Sequence, residues 1–124
     1  MSGVVVDSSG WIEYFLQEPR HERIFQHLKD TDRVVTPTVV LYEVYKKIKR
    51  DRSDQEATTA VAQMLKTQVV PLSESLAFSA ADISLEFELP MADSIVYATA
   101  VEYGCKLVTM DHDFHKLPMV EIVR

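Results

Sequence analysis

Short apolar runs alternating with longer segments of helical periodicity constrain the fold of this chain most. The clearest run is Gly3–Val6, which is rich in β-branched residues and stops abruptly at Asp7. A short continuous apolar run of this kind is typical of a strand buried on both faces of a sheet. Because such strands alternate here with helical segments, the pattern predicts a parallel sheet covered by helices on both faces.

The pattern predicts four to five strands and six helices in one α/β unit. Strands are expected over 3–6, 33–36, 69–70, 106–109 and 120–123. Helices are expected over 11–16, 20–29, 37–50, 53–65, 73–88 and 90–103. Thr36 is predicted to cap the third helix with Pro37 in its first position, and Gly104 is predicted to end the sixth.

Length and composition favour a single globular domain spanning residues 1–124. With 124 residues, 47% hydrophobic and 26% charged, the chain is of ordinary globular composition. Its one cysteine, Cys105, excludes an internal disulfide and suggests a reducing, cytoplasmic setting. We expect no membrane association and no targeting segment, because the apolar runs are far shorter than a membrane span.

The charge distribution predicts local rather than general binding of nucleic acid. With 13 basic and 19 acidic residues, the net charge is −6, which disfavours a protein that holds nucleic acid by bulk electrostatics. However, five of the seven residues from 46 to 52 are basic. A nucleic-acid partner is therefore expected to contact this segment.

Two of the predicted buried strands are followed by aspartate. Asp7 follows the first strand, and Asp111 and Asp113 follow the strand that ends at Thr109. Taken singly, Asp7 is explained as a helix cap and Asp-His-Asp as a turn. In parallel α/β folds, however, ligands gather at the carboxyl ends of strands. If the two strands are neighbours, carboxylates about 4 Å apart would repel by roughly 4 kcal/mol at an effective dielectric of 20, which favours a bound cation.

Two further acids lie on predicted helices. Asp93 shares a helical stripe with apolar residues, where a charge is costly unless it is paired or bound to a metal. Glu43 lies opposite the predicted core stripe of its helix, which is Leu41, Val44, Tyr45 and Ile48. The helical wheel alone favours a surface pair of Glu43 with Lys47. The alternative is that Glu43 borders a cleft beside basic residues.

The available ligands favour a hard metal ion. Carboxylates and water suit Mg²⁺ or Mn²⁺ rather than zinc. The four histidines do not form a convincing ligand set. His112 and His115 are close to Asp111 in the sequence, which leaves a contact with the substrate open to them. No Ser-His-Asp arrangement or Gly-rich phosphate loop is present.

Four motifs in order resemble those of PIN-domain proteins, particularly the VapC-type toxins of prokaryotic toxin–antitoxin pairs. The motifs span Val4–Trp11, Thr36–Val44, Leu89–Ala98 and Leu107–Phe114. The resemblance implies a three-layer α/β/α sandwich with a central parallel sheet. It also implies that four acids gather around one or two divalent ions: Asp7, Glu43, Asp93 and Asp111.

The resemblance further implies a metal-dependent endoribonuclease. Asp7, Asp93 and Asp111 would hold Mg²⁺ or Mn²⁺, and Glu43 would act through a water on the metal or as its base. By position in the motifs, Ser8 and Thr109 would be supporting polar groups, and Asp111 is favoured over Asp113. The implied partners are an RNA substrate, a cognate antitoxin and a second copy of the chain.

Two other functions compete with this interpretation. A receiver-type phosphoacceptor domain has a similar length and an acidic pocket, but it would show paired acids after the first strand and a lysine after the fifth. A PIN fold that binds RNA without cutting it is the other alternative, and the presence of all four acids disfavours it.

Overall fold

The computed structural model describes residues 3–124, so the first two residues of the predicted 1–124 domain lie outside the described part. Five strands are present: β1 Val4–Val6, β2 Val34–Pro37, β3 Gln68–Val70, β4 Lys106–Thr109 and β5 Val120–Ile122. The six helices are α1 Ser8–Phe15, α2 His21–Leu28, α3 Thr38–Asp51, α4 Asp54–Met64, α5 Glu74–Phe87 and α6 Met91–Glu102. Short 3₁₀ turns cover Thr31–Arg33 and His112–Phe114.

The five strands form one parallel sheet in the order β3-β2-β1-β4-β5. Crossovers between parallel strands are almost always right-handed. The chain moves from β1 towards β3 and then returns past β1 to β4, so right-handed crossovers put α1–α4 and α5–α6 on opposite faces. The predicted α/β/α sandwich with a parallel sheet is confirmed. The order also places β1 and β4 side by side, with Val6 opposite Val108.

The core lies on both faces of the central strands. The three valines of β1 are buried, and so is every residue of α6 from Ser94 to Ala100. The two hydroxyls in this buried stretch stay satisfied within the helix, since Ser94 donates to the Met91 carbonyl and Thr99 donates to the Ile95 carbonyl. No helix within residues 3–124 is long and apolar enough to cross a bilayer.

The predicted start of α3 is wrong by one residue, since the helix begins at Thr38 rather than at Pro37. Thr36 does not cap the helix, because it lies buried in β2 with its hydroxyl 2.7 Å from that of Thr67. Pro37 ends the strand in an extended conformation and stands at the N-cap position itself. The Thr36 hydroxyl therefore bonds to Thr67, the residue just before β3, and does not cap the free amide groups at the start of α3.

The predicted core stripe of α3 is also partly wrong. The buried residues are Val40, Val44 and Ile48. Leu41 is only half-buried, and Tyr45 is exposed. The buried stripe runs at steps of four residues instead of mixed steps of three and four. Glu43 therefore lies nearer to the buried face of α3 than the predicted stripe implies.

Several helix ends agree with the sequence. The hydroxyls of Ser53 and Ser73 accept hydrogen bonds from the third amide group of α4 and α5, respectively. Gly104 follows α6 with φ of +64°, the left-handed conformation expected there. Glu88 ends α5 in the same region, with φ of +56°, although it is not a glycine.

Candidate active site

Asp7 is both the N-cap of α1 and a buried carboxylate at the carboxyl-terminal end of β1. It follows β1, its side chain accepts a hydrogen bond from the Gly10 amide at 3.2 Å, and α1 therefore begins at Ser8 rather than at the predicted Trp11. Gly10 permits this close approach, since a Cβ there would lie 2.6 Å from a methyl group of Val6. The two interpretations of Asp7 are thus compatible.

Hydroxyl groups from two elements hold the Asp7 carboxylate. Ser9 Oγ donates to Asp7 Oδ1 at 2.6 Å, and Thr109 Oγ1 donates to Asp7 Oδ2 at 2.6 Å. The Thr109 hydroxyl in turn accepts from the Asp111 amide at 2.9 Å. This chain of contacts exists because β1 and β4 are adjacent, and it links the first and fourth acidic motifs directly.

The supporting role of Thr109 at Asp7 is visible in these contacts, whereas the hydroxyl beside Asp7 is that of Ser9 rather than the predicted Ser8. Ser8 instead lines a neighbouring cleft. The sequence carried a usable signal for Ser9, since a serine two residues after an aspartate can reach back to it across the first turn of a helix.

Burial raises the pKa of Asp7 above its ordinary value, and the nearby Asp111 raises it further. The hydrogen bonds from Ser9, Thr109 and the Gly10 amide act in the opposite direction. Since both carboxylate oxygens accept hydrogen bonds, these three donors favour the ionised form in a place where burial alone would neutralise it.

Asp93 lies in the first turn of α6, beside buried apolar residues as the sequence predicts. Its pKa rises to about 6 because the side chain is partly buried and because four other carboxylates repel its charge. Those four, in falling order of effect, belong to Asp111, Asp7, Glu43 and Asp113. We refer to these five residues as the acidic cluster. The structure therefore brings the other three predicted acids, and Asp113, within electrostatic reach of Asp93.

Glu43 borders the cleft and does not form the surface pair that the helical wheel favoured. Lys47 pairs instead with Asp51 at 2.9 Å. Glu43 is half-buried and lines a cleft of about 300 Å³ with Ser8. The remaining lining residues are Ile12, Tyr42, Lys46, Lys47 and Arg50.

The segment after β4 forms the turn that its sequence suggests. Asp111 Oδ1 accepts from the Asp113 amide at 2.9 Å, and Asp113 itself is exposed. His112 and His115 are exposed as well, and the His115 ring contacts the carbonyl group of His112 at 2.7 Å. Within the described residues, neither histidine has a hydrogen bond to a carboxylate of the acidic cluster.

The acidic cluster carries negative charge without a basic partner. Seven ion pairs occur within residues 3–124, and no member of the acidic cluster takes part in any of them. Several carboxylates held together without a counter-charge favour binding of a cation. Their oxygen-only donor set fits Mg²⁺ or Mn²⁺.

The donors are nevertheless not arranged as a finished metal site. In the described part of the chain, no three His, Cys, Asp or Glu side chains are grouped as ligands would be. Both oxygens of Asp7 and one of Asp111 accept hydrogen bonds from the protein. Because no three of these side chains are grouped as ligands, joint coordination of one ion would require some of them to move.

Comparison with known proteins identifies the family. The sequence model of the PIN domain matches residues 4–119, nearly the whole chain. The chain belongs to the PIN domain family. No curated protein sequence matches this PIN domain significantly.

Solved structures share the fold across the whole domain. A toxin–antitoxin complex from Klebsiella pneumoniae matches with a TM-score of 0.80 at 21% identity, covering 96% of each chain. VapC20 from Mycobacterium tuberculosis, described as a toxin that cleaves the sarcin–ricin loop, matches with a TM-score of 0.79 at 22% identity, covering 97% of this chain and 98% of that one. DNA-bound VapBC from Salmonella typhimurium gives 0.79 at 18% identity, covering 99% and 98%.

The strand order separates this PIN domain from the receiver alternative. Doubly wound folds of the receiver type have the order 2-1-3-4-5, whereas the order here is 3-2-1-4-5. In the PIN order, β1 and β4 are neighbours, which is what joins Asp7 to Thr109.

Proposed function

We propose that this PIN domain is a Mg²⁺- or Mn²⁺-dependent endoribonuclease and the toxin of a VapBC-type toxin–antitoxin pair. The observation that carries the proposal is the acidic cluster: four carboxylates that repel the charge of a fifth, that of Asp93, at the carboxyl ends of β1 and β4 and on the flanking helices. Within residues 3–124, none of the five has a basic partner. Membership of the PIN family and the likeness to VapC20 support the choice of RNA as substrate.

In this proposal Asp7, Asp93 and Asp111 hold the metal ion. When bound, Mg²⁺ or Mn²⁺ would polarise the scissile phosphate and stabilise the charge that develops on the leaving oxygen. The raised pKa of Asp93, about 6, still leaves that carboxyl ionised at pH 7 and available as a ligand. Ser9 and Thr109 fix the orientation of the Asp7 carboxylate through their hydroxyl groups.

Glu43 is the acid that we assign to proton transfer. It stands on α3, lines the open cleft and is not tied up by a lysine, so its carboxylate can accept a proton from an attacking water. The resulting hydroxide adds to the phosphorus atom, the bond to one ribose oxygen breaks, and that oxygen takes up a proton from protonated Glu43 or from solvent. Asp113, being exposed, is assigned no essential role.

The proposal includes two protein partners. A cognate antitoxin is supported by the structural neighbours that are themselves described as toxin–antitoxin complexes. A homodimer is supported by an exposed apolar face on α5 and the start of α6, made by Phe78, Leu85 and Met91. We place the reaction in the cytoplasm, where cellular RNA is available and the buried thiol of Cys105 stays reduced.

Cleavage of total RNA tests the proposed function. Purified protein, freed of any antitoxin, is incubated with total RNA in Mg²⁺, Mn²⁺ or EDTA and compared with Asp7→Asn and Asp93→Asn. Asp82→Asn is the matched control, since Asp82 is an exposed acid on α5 outside the acidic cluster. We expect cleavage by wild type and Asp82→Asn in either metal, and none in EDTA or with the two cluster variants. Metal-independent cleavage, or cleavage by both cluster variants, contradicts the proposal.

A further inference from the structure

Helix α3 carries two tyrosine–lysine pairs of the same construction. Lys46 Nζ lies 3.3 Å from the Tyr42 hydroxyl and 5.3 Å from its ring centre. Lys49 Nζ lies 3.2 Å from the Tyr45 hydroxyl and 5.2 Å from that ring centre. Each ammonium group is nearer to the hydroxyl than to the ring centre, so it lies towards the hydroxyl end of its ring.

The two pairs differ in their surroundings. Tyr42 is 61% exposed, and both Tyr42 and Lys46 line the cleft that contains Glu43. Tyr45 is 38% exposed, and neither Tyr45 nor Lys49 lines that cleft. A role limited to stabilising the helix would apply equally to both pairs, so the position of the first pair at the cleft calls for a separate explanation.

Ion pairing sets Lys46 apart from the other basic residues between 46 and 52. Four of the five contact acids: Lys47 and Arg50 pair with Asp51, Lys49 with Asp54, and Arg52 with Glu56. Within residues 3–124, Lys46 has no carboxylate partner, and its one hydrogen bond goes to Tyr42. Among the five basic residues of this segment, Lys46 is therefore the one whose charge is not paired with an acid, and it lies beside Glu43 in the cleft.

We propose that Tyr42 and Lys46 form a subsite for one unpaired nucleotide of the substrate, with the base stacked on the Tyr42 ring and a phosphate paired with the Lys46 ammonium group. The inference rests on the proposed ribonuclease function. Aromatic rings stack on bases that are not already stacked in a helix, and lysine neutralises the backbone phosphate. The subsite thus selects single-stranded RNA, or a loop, next to the bond that is cut.

Substitution of the ring tests the stacking half of the subsite. Initial rates of cleavage of total RNA are measured over a range of RNA concentrations for Tyr42→Ala, Tyr42→Phe and the matched control Tyr45→Ala. We expect Tyr42→Ala to raise KM about 5- to 100-fold with little change in kcat, from the usual strength of base–aromatic stacking. Tyr42→Phe keeps the ring, so its KM should lie much closer to that of wild type than the KM of Tyr42→Ala does, and the control Tyr45→Ala should stay near wild type.

The salt dependence of binding tests the phosphate half. Binding of a labelled, random-sequence 12-nucleotide RNA is measured in the Asp93→Asn background, where the RNA stays intact, with Lys46→Ala and with Lys49→Ala as control. For single strands each phosphate contact contributes about −0.7 to the slope of log K against log salt, so the loss of one contact decreases the steepness of that slope by about 0.7. We expect that decrease for Lys46→Ala and an unchanged slope for Lys49→Ala.

The outcomes separate this inference from the proposed function. If wild type cleaves RNA but Tyr42→Ala and Tyr45→Ala behave alike, or if the two lysine variants have equal slopes, the subsite is wrong and the ribonuclease stands. If wild type does not cleave RNA, the proposed function fails and the subsite fails with it. Because the Tyr42 side chain is largely exposed, thermal melting should show Tyr42→Ala to be folded.

Discussion

The Asp7 carboxylate shows how single residues make this site possible. A buried carboxylate without partners would be neutral or would destabilise the fold. Two hydroxyls and one amide group donate hydrogen bonds to it instead, and these bonds favour its ionised form against the effect of burial, which raises its pKa. The Thr109 hydroxyl also accepts a hydrogen bond from the Asp111 amide group and so couples two acids of the site.

We expect Thr109→Val to impair both stability and cleavage. Removing the hydroxyl leaves an oxygen of Asp7 without its donor, which should lower the free energy of unfolding by about 1–3 kcal/mol. Loss of the orienting contact should reduce cleavage about 10- to 100-fold. Urea denaturation and the total-RNA assay measure the two effects.

Thr36→Val is the control, because the Thr36 hydroxyl is equally buried but contacts Thr67. It should lower stability and leave cleavage unchanged. Equal cleavage by the two valine variants would show that Thr109 has no part in the site.

The raised pKa of Asp93 predicts a pH-dependent difference between wild type and Asp93→Asn in EDTA. A carboxyl whose pKa is about 6 when folded and 3.8 when unfolded binds more protons in the folded state, so its contribution to stability falls as pH rises between these values. The repelling groups are those of Asp111, Asp7, Glu43 and Asp113. Asp93→Asn has no carboxyl group at this position, so it should not lose stability in this way as the pH rises.

The melting temperature of Asp93→Asn should therefore exceed that of wild type by a few degrees at pH 7. The difference should shrink as the pH is lowered from 6 to 4. Addition of Mg²⁺ should raise the melting temperature of wild type more than that of Asp93→Asn. A difference in EDTA that is independent of pH would mean that the acidic cluster does not repel Asp93 as described.

The sequence located some site residues and missed others for clear physical reasons. Asp7 and Asp111 could be found because each follows a buried strand, and Asp93 because it lies on an apolar stripe. The helical wheel placed Glu43 on the surface, and only the family resemblance placed it at the cleft. Local periodicity contains no information about what a helix faces, so neither the cleft nor the Ser9 contact followed from it.

At the scale of elements, helix and strand types were predicted well and their boundaries less well. The starts predicted at residues 53 and 73 differ by one residue from those of α4 and α5, because Ser53 and Ser73 cap these helices through one contact each. The start of α3 was missed because Thr36 had two possible partners, its own helix and Thr67 on the neighbouring segment. A tertiary contact decided between them, and that contact cannot be read from neighbouring residues.

The end of α5 offers a test of the described backbone. Glu88 occupies the left-handed region, which is costly for a residue with a Cβ, so Glu88→Gly should stabilise the protein by up to about 1 kcal/mol. Glu86→Gly, two residues earlier and inside the helix, should destabilise it by about 1 kcal/mol. Urea denaturation of both variants measures this. Destabilisation by Glu88→Gly as well would contradict the left-handed helix end.

For the whole molecule, the sequence established the class of sheet but not which strands are neighbours. Alternation of strands and helices predicted the parallel sandwich, whereas the order β3-β2-β1-β4-β5 depends on long-range pairing. That order matters for function, because it puts the ends of β1 and β4 together. In this protein of net charge −6, the acids gather at the carboxyl ends of β1 and β4, and Lys46, which has no carboxylate partner within residues 3–124, lies beside Glu43 in the neighbouring cleft.

Calorimetric titration of the metal-free protein with Mn²⁺ at pH 7 tests most directly whether the acidic cluster works as one metal site. We predict binding by wild type, equal binding by Asp82→Asn, and affinity at least about tenfold weaker for Asp93→Asn. No binding by wild type, or equal affinity in all three proteins, would contradict a metal site built from these carboxylates.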